Sequence, residues 1–118
     1  MREKPRDIGR LQHIAMAIAN ISRFTAEVPA EDFRQESLLY YGVVKNLEII
    51  GEAAYMLTQE FKDKHPQTPW AIIIGMRHIL VHGYYQVDAN EVWSTIQSDL
   101  PPLAAQIDSY IAELISEA

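Results

Sequence analysis

No cysteine occurs in the 118 residues, which excludes disulfides, thiolate nucleophiles and zinc sites built on cysteine. A cytoplasmic, reducing setting fits such a chain. Basic charge is in deficit: ten Lys and Arg stand against sixteen Asp and Glu, a net charge of −6, so the molecule as a whole is no electrostatic magnet for nucleic acid. Long hydrophobic runs are missing too. The longest strongly apolar stretch, Trp70 to Met76, falls far below the roughly 18 residues of a membrane span, and no bilayer crossing is expected. The first residues, Met1-Arg-Glu-Lys-Pro-Arg-Asp7, are charged and lead into no apolar segment, so no secretory signal is read there. Gly75 and Gly83 stand alone and no Gly-Lys-Ser or Gly-Lys-Thr is present, which removes support for nucleoside triphosphate hydrolysis. The serines lie in helical patterns without a nucleophile elbow.

What is present is an ordinary globular composition, 48% apolar and 22% charged, at a length that predicts one domain over residues 1–118. The charge is unevenly spread. Residues 1–87 carry ten residues of each sign, whereas residues 88–118 carry six acids (Asp88, Glu91, Asp99, Asp108, Glu113, Glu117) and no Lys or Arg. An anionic ligand should therefore approach away from the C-terminal segment, whose charge also serves solubility.

Apolar periodicity predicts helices throughout. Ile8, Leu11, Ile14, Ile18, Ile21, Phe24 and Val28 form one stripe, placing a helix at about residues 6 to 27. Pro29 breaks it, and Ala30 to Gln35 is expected to form a short turn. A second long helix, about Glu36 to Thr58, carries Leu38, Leu39, Val43, Leu47, Ile50, Ala54 and Leu57. Gly51 in its middle costs about 1 kcal/mol relative to Ala, which a close helix contact would offset. Gln59 to Pro66 is polar and is expected to add a helical turn. Thr68 reads as an N-cap and Pro69 as the first residue of a helix running to about Val81, ended by Gly83. Asp88 and Glu91 resemble a capping box opening a helix of about residues 89 to 99, stopped by Pro101-Pro102. A last helix carries Leu103, Ile107, Tyr110 or Ile111, and Leu114. The expected architecture is all-α, an up-and-down antiparallel bundle.

The stretch Trp70-Ala-Ile-Ile-Ile-Gly-Met-Arg-His-Ile-Leu-Val-His-Gly-Tyr-Tyr85 sets Arg77, His78 and His82 in a helix whose pattern reads as mostly buried, and buried charge must be paired or used. Arg77 and His82 lie about 140° apart around an ideal helix. They converge only through the reach of Arg77 and the release of His82 at the helix end. Either they form a reactive pair, or Arg77 satisfies a carboxylate while His82 gains from the helix dipole. His78 and His82 are four apart, a spacing that suits two ligands on one metal, with Glu48 and Glu52 across the bundle as a rival carboxylate set. Glu48 and Glu52 also read as partners for Lys45 and Arg77. His13 and His65 read as surface or boundary histidines. Tyr40, Tyr41, Tyr55, Trp70 and Trp93 read as core or interface packing.

Arg77-His-Ile-Leu-Val-His82-Gly-Tyr84 resembles the Arg, four residues, His, one residue, Tyr motif of HEPN-domain toxins in the HepT-like family, once called domain of unknown function 86. The likeness extends, in the family order, through Asn46-Leu-Glu-Ile-Ile-Gly-Glu-Ala53, Pro69-Trp70, Gly75-Met-Arg77, Val87-Asp88, Val92-Trp93 and Asp99-Leu-Pro101. It implies a homodimeric, cytoplasmic HEPN-like bundle acting as a metal-independent endoribonuclease without a cofactor. RNA supplies the 2′-OH nucleophile, so a group titrating near neutrality and a fixed cation suffice. The resemblance assigns these catalytic roles to His82 and Arg77, with His78 and Tyr84 in support. His78 stands where the family usually has Asn or Asp. The resemblance further implies a toxin–antitoxin pair in which a minimal nucleotidyltransferase attaches AMP to Tyr84. A different class of function, a non-catalytic helical module that binds such a nucleotidyltransferase as its protein substrate, rests on the same motif.

Overall fold

The apolar stripes become helices whose buried faces meet in one core. The computed structural model describes residues 3–117. Among them lie α1 (Glu3–Thr25), α2 (Ala30–Gln35), α3 (Ser37–Met56), α4 (Gln59–Lys64), α5 (Trp70–His82), α6 (Ala89–Ser94) and α7 (Leu100–Glu117). The result is an all-α up-and-down bundle. Helix α3 packs between α1 and α5, and α7 covers the other side of α1. Leu11, Ile14 and Ile21 of α1 meet Val43, Leu47 and Ile50 of α3 with almost no residual exposure, which is the payoff of the 3-4 spacing.

Several expectations are corrected. The first helix ends at Thr25 rather than residue 27, because Glu27 takes a left-handed φ of 60° ahead of Pro29. Ala30–Gln35 is a full helical segment, not a turn. Its Phe33 is completely buried, 5.8 Å from the Tyr40 ring and 5.1 Å from the Trp93 ring, and one helical turn is what aims it inward. Pro101-Pro102 does not stop the chain. Residues Thr95–Asp99 widen into a π turn, with Leu100 N–H bonding to the Thr95 carbonyl, and the helix continues as α7. The prolines fall in the first turn of α7, directly after that widened turn. Asp88 keeps half of its expected box: its carboxylate accepts from Asn90 N–H at 2.9 Å.

Thr68 is a further correction, since it does not cap α5, which has no side-chain cap. Its hydroxyl donates to Gln106 Oε1 at 2.6 Å and meets the Tyr110 hydroxyl, tying the α4–α5 connection onto α7. His65, read as a boundary histidine, is buried in the same knot. Its Nδ1 lies 2.8 Å from the Phe61 carbonyl, its Nε2 lies 3.1 Å from Glu113, and its ring stacks on Phe61 at 4.1 Å. These are packing roles that fix where α5 begins.

The opposite end of α1 is held by a buried carboxylate. Asp7 accepts from Thr58 N–H at 2.9 Å and from the Thr58 hydroxyl at 2.7 Å, while Thr58 Oγ1 accepts from Phe61 N–H and so caps α4. Asp7→Ala should destabilise the protein by about 1–3 kcal/mol, the penalty for buried donors left unpaired. A urea midpoint equal to that of the unaltered chain would show the tether to be idle.

Candidate functional site

The site begins with a glycine. A Cβ placed on Gly51 would lie 2.5 Å from Arg77 Cβ and 3.1 Å from the Ile73 carbonyl oxygen, so α3 and α5 touch backbone to backbone there. This is the close contact that the mid-helix glycine predicts. It brings Arg77 against α3, where its Nε lies 2.8 Å from Glu52 Oε1. Both side chains remain part exposed, 40% and 49%, so the pair orients the guanidinium rather than burying it, and leaves its other N–H groups free to meet an anion.

His82 closes α5, and Gly83 N–H bonds back to the Ile79 carbonyl at 2.8 Å. Gly83 does so with φ −113°, outside the left-handed region. His78 and His82 are exposed and adjacent, ring centroids 4.8 Å apart, as their four-residue spacing predicts. Among the described residues no three His, Asp or Glu side chains gather as a metal-binding group. Arg77 and His82 do not meet within the chain: Arg77 faces α3, and the 140° between them (about, from the helical repeat) turns His82 outward. The following Tyr84–Gln86 is a 3₁₀ turn, and leaves Tyr84 and Tyr85 exposed with rings perpendicular at 5.9 Å.

Helix α5 is also less buried than its sequence suggests. Trp70, Ile73 and Leu80 face the core, but Ile72 is 74% exposed and Ile79 56%. Seven residues apart, they lie on one stripe with Gly75 between them, on the outer side of the helix where His82 also projects.

Two clefts flank the motif. The first, about 240 Å³, gathers Arg10 and His13 of α1, Lys45, Glu48 and Glu52 of α3, and Arg77 of α5. The sequence reading leaves Arg10 out, takes His13 as a surface or boundary histidine and Lys45 as a partner for Glu48 or Glu52, and places none of the three at a site. Their signal was present only as spacing: Arg10 and His13 share a face of α1, and Lys45 lies about one turn before Glu48 and two turns before Glu52 on α3. None of the six C-terminal acids lines this cleft, in keeping with an anion approaching away from them. The second cleft, about 490 Å³, lies beside Tyr84 and takes in Arg34, Tyr40 and Tyr41. Burial pushes the Tyr40 phenol above its ordinary value, helped by the Tyr41 phenol and the Asp88 carboxylate, so Tyr40 stays a neutral donor.

Comparison with known proteins gives a consistent result. The model of a family described as "Ribonuclease HepT-like" matches residues 14–110. A probable ribonuclease HepT of Thermococcus cleftensis is 39% identical over 98 residues, covering 83% of this chain and 89% of that protein. A candidate RNase of Caldanaerobacter subterraneus subsp. tengcongensis is 37% identical over 97 residues, covering 82% and 87%, and one of Methanocaldococcus jannaschii is 30% identical over 104 residues, covering 87% and 95%. No solved structure matches the chain significantly.

Proposed function

Because the chain belongs to the HepT-like ribonuclease family, we propose that it is a metal-independent endoribonuclease working as a homodimer, with Arg77 and His82 as its catalytic residues. The observation that carries this reading is the division of labour along α5. Arg77 is oriented by Glu52 at a cleft with three further basic side chains, and His82 stands exposed a little over one turn later with the His78 ring beside it. Neither group alone completes the chemistry, and one chain does not bring them to a point.

A second copy resolves this. Pairing through the stripe of Ile72, Gly75 and Ile79 covers two aliphatic side chains per protomer, each worth roughly 1.5–3 kcal/mol when fully buried, and sets the His82 of each copy at the seam. One His82 then takes the proton from the ribose 2′-OH as that oxygen attacks phosphorus. The P–O5′ bond breaks, and the 5′ oxygen leaves with a proton from the second, protonated imidazole. The products are a 2′,3′-cyclic phosphate and a 5′-hydroxyl, with no net proton change. Arg77 holds the charge that builds on the non-bridging oxygens, and His78 steadies the His82 ring.

The same reading makes the protein the toxin of a pair neutralised by a minimal nucleotidyltransferase that transfers AMP to Tyr84. Tyr84 is 72% exposed, and Tyr85 is no less so at 74%, but only Tyr84 lines the cleft beside the motif. AMP there adds bulk and negative charge where an RNA phosphate must enter. Intact-mass spectrometry after co-expression with the partner should show AMP on Tyr84, and AMP on Tyr85 would defeat that assignment.

The deciding experiment combines mass and cleavage. Light scattering should give about twice the 13.5 kDa chain mass, and RNA cleavage should persist in EDTA. A monomer that cleaves would sink the shared site, and activity lost in EDTA and restored by a divalent ion would revive the His78–His82 metal set. A folded dimer with no cleavage would leave the non-catalytic substrate module as the better reading.

A further inference from the structure

Glu48 and Val81 line both clefts, so the cationic cleft and the tyrosine cleft adjoin at the seam of α3 and α5. We propose that the tyrosine cleft is a nucleobase subsite, in which Tyr41 stacks on an unpaired base of the RNA whose backbone runs through the cationic cleft past Arg77. This assignment rests on the endoribonuclease reading above and adds where the protein holds a base turned out next to the cut.

The geometry of the rings favours a stacking platform. Tyr41 is 66% exposed, yet its ring is braced edge-on against Tyr40, 5.2 Å away at 78°. Tyr40 in turn packs on the fully buried Phe33. An exposed aromatic held by a chain of rings to the core presents its face to a ligand at little cost in side-chain entropy. The second tyrosine of the cleft, Tyr84, is also exposed. At about 490 Å³ the space falls within the roughly 300–1,000 Å³ of small-molecule sites.

The polar groups at its edges suit a nucleotide. Arg34 lines the cleft and is steadied from α6, where its Nη1 donates to Asn90 Oδ1 at 3.1 Å. One bond to Asn90 leaves most of its five N–H groups for a phosphate. Glu48, between the clefts, accepts hydrogen bonds and repels phosphate, so it fits the amino edge of a base or a ribose hydroxyl. Bases in a duplex present no free face, whereas single-stranded RNA is bound chiefly by stacking on aromatic side chains.

The test measures binding and cleavage separately on the full-length protein. Binding of a fluorescent 2′-O-methyl RNA decamer of mixed sequence, which lacks the 2′-OH needed for cutting, should weaken roughly tenfold in Tyr41→Ala, the order for one lost base–aromatic stack. Tyr41→Phe should bind as the unaltered protein does, and so should Tyr85→Ala, an equally exposed tyrosine outside the cleft. The same sequence as a duplex should compete poorly. Unchanged binding in Tyr41→Ala overturns the subsite, and so does a change in oligomer mass in that variant, which would make the cleft a protein seam. The two readings fail differently. If unmodified RNA is bound through Tyr41 but never cut, the nuclease reading falls and the subsite stands. If RNA is cut with the same KM in Tyr41→Ala, the subsite falls and the nuclease reading stands.

Discussion

Replacing His82 with alanine should lower RNA cleavage by roughly 10²–10⁴-fold, the usual contribution of a positioned acid–base group, while shifting folding stability by no more than about 1 kcal/mol. The two parts of this expectation come from one observation. His82 is exposed at the last residue of α5 with the His78 ring beside it, so its removal opens no cavity and strands no buried donor. What is lost beyond chemistry is a favourable charge at the helix C-terminus, present only when the ring is protonated. Arg77→Ala should reach a loss of roughly 10²–10³-fold by a different route, removing charge from the phosphate. The stranded Glu52 is part exposed, so the cost in stability stays within the roughly 0–1 kcal/mol of a solvent-facing pair. His78→Asn should keep substantial activity, because an amide still offers His82 a polar neighbour. Cleavage by His82→Ala at the unaltered rate would remove His82 from the mechanism. A variant that unfolds would instead show that its role was to finish the helix.

The sequence makes the helices legible because burial repeats with the helical period: Leu11, Ile14, Ile18 and Ile21 are apolar for the same reason that they are buried. It is blind where a residue's partner lies far along the chain. Thr68 before Pro69 has the local chemistry of a cap, and only the arrival of Gln106 and Tyr110 turns its hydroxyl into a tertiary bond. His65 looks polar and loop-bound until Phe61 and Glu113 close over it. Composition misleads in α5, where an aliphatic run reads as mostly buried although Ile72 and Ile79 face outward. In the candidate site the Arg77–His82 spacing is visible directly, since both lie on one helix. Arg10, His13 and Lys45 join Arg77 only because α1, α3 and α5 pack side by side. No local pattern announces a cleft assembled from three helices.

Gly51→Ala should produce the largest structural effect of a methyl added at any of the five glycines. Alanine favours a helix interior by about 1 kcal/mol over glycine, so an unobstructed position would gain stability. Position 51 is obstructed. The new Cβ would meet Arg77 Cβ at 2.5 Å and the Ile73 carbonyl at 3.1 Å, contacts with a helix backbone and its first side-chain atom, which no rotamer change relieves. Helix α5 must move away from α3, and overpacking of this kind costs about 1–3 kcal/mol, occasionally more. Net destabilisation of roughly 1–2 kcal/mol is expected once the helix propensity is set against it. Activity should fall further than stability, because the displaced residue is Arg77 itself, and a shift of about 1 Å in a positioned group can cost roughly 100-fold. Gly9→Ala supplies the control: a Cβ there meets nothing within 4 Å, so the same exchange in α1 should raise stability by about 0.5–1 kcal/mol with cleavage unaltered. Urea midpoints and cleavage rates measured under conditions where both variants stay folded separate the two effects. If Gly51→Ala matches Gly9→Ala in both, α3 and α5 do not touch at Arg77, and the positioning of the guanidinium by helix contact is wrong.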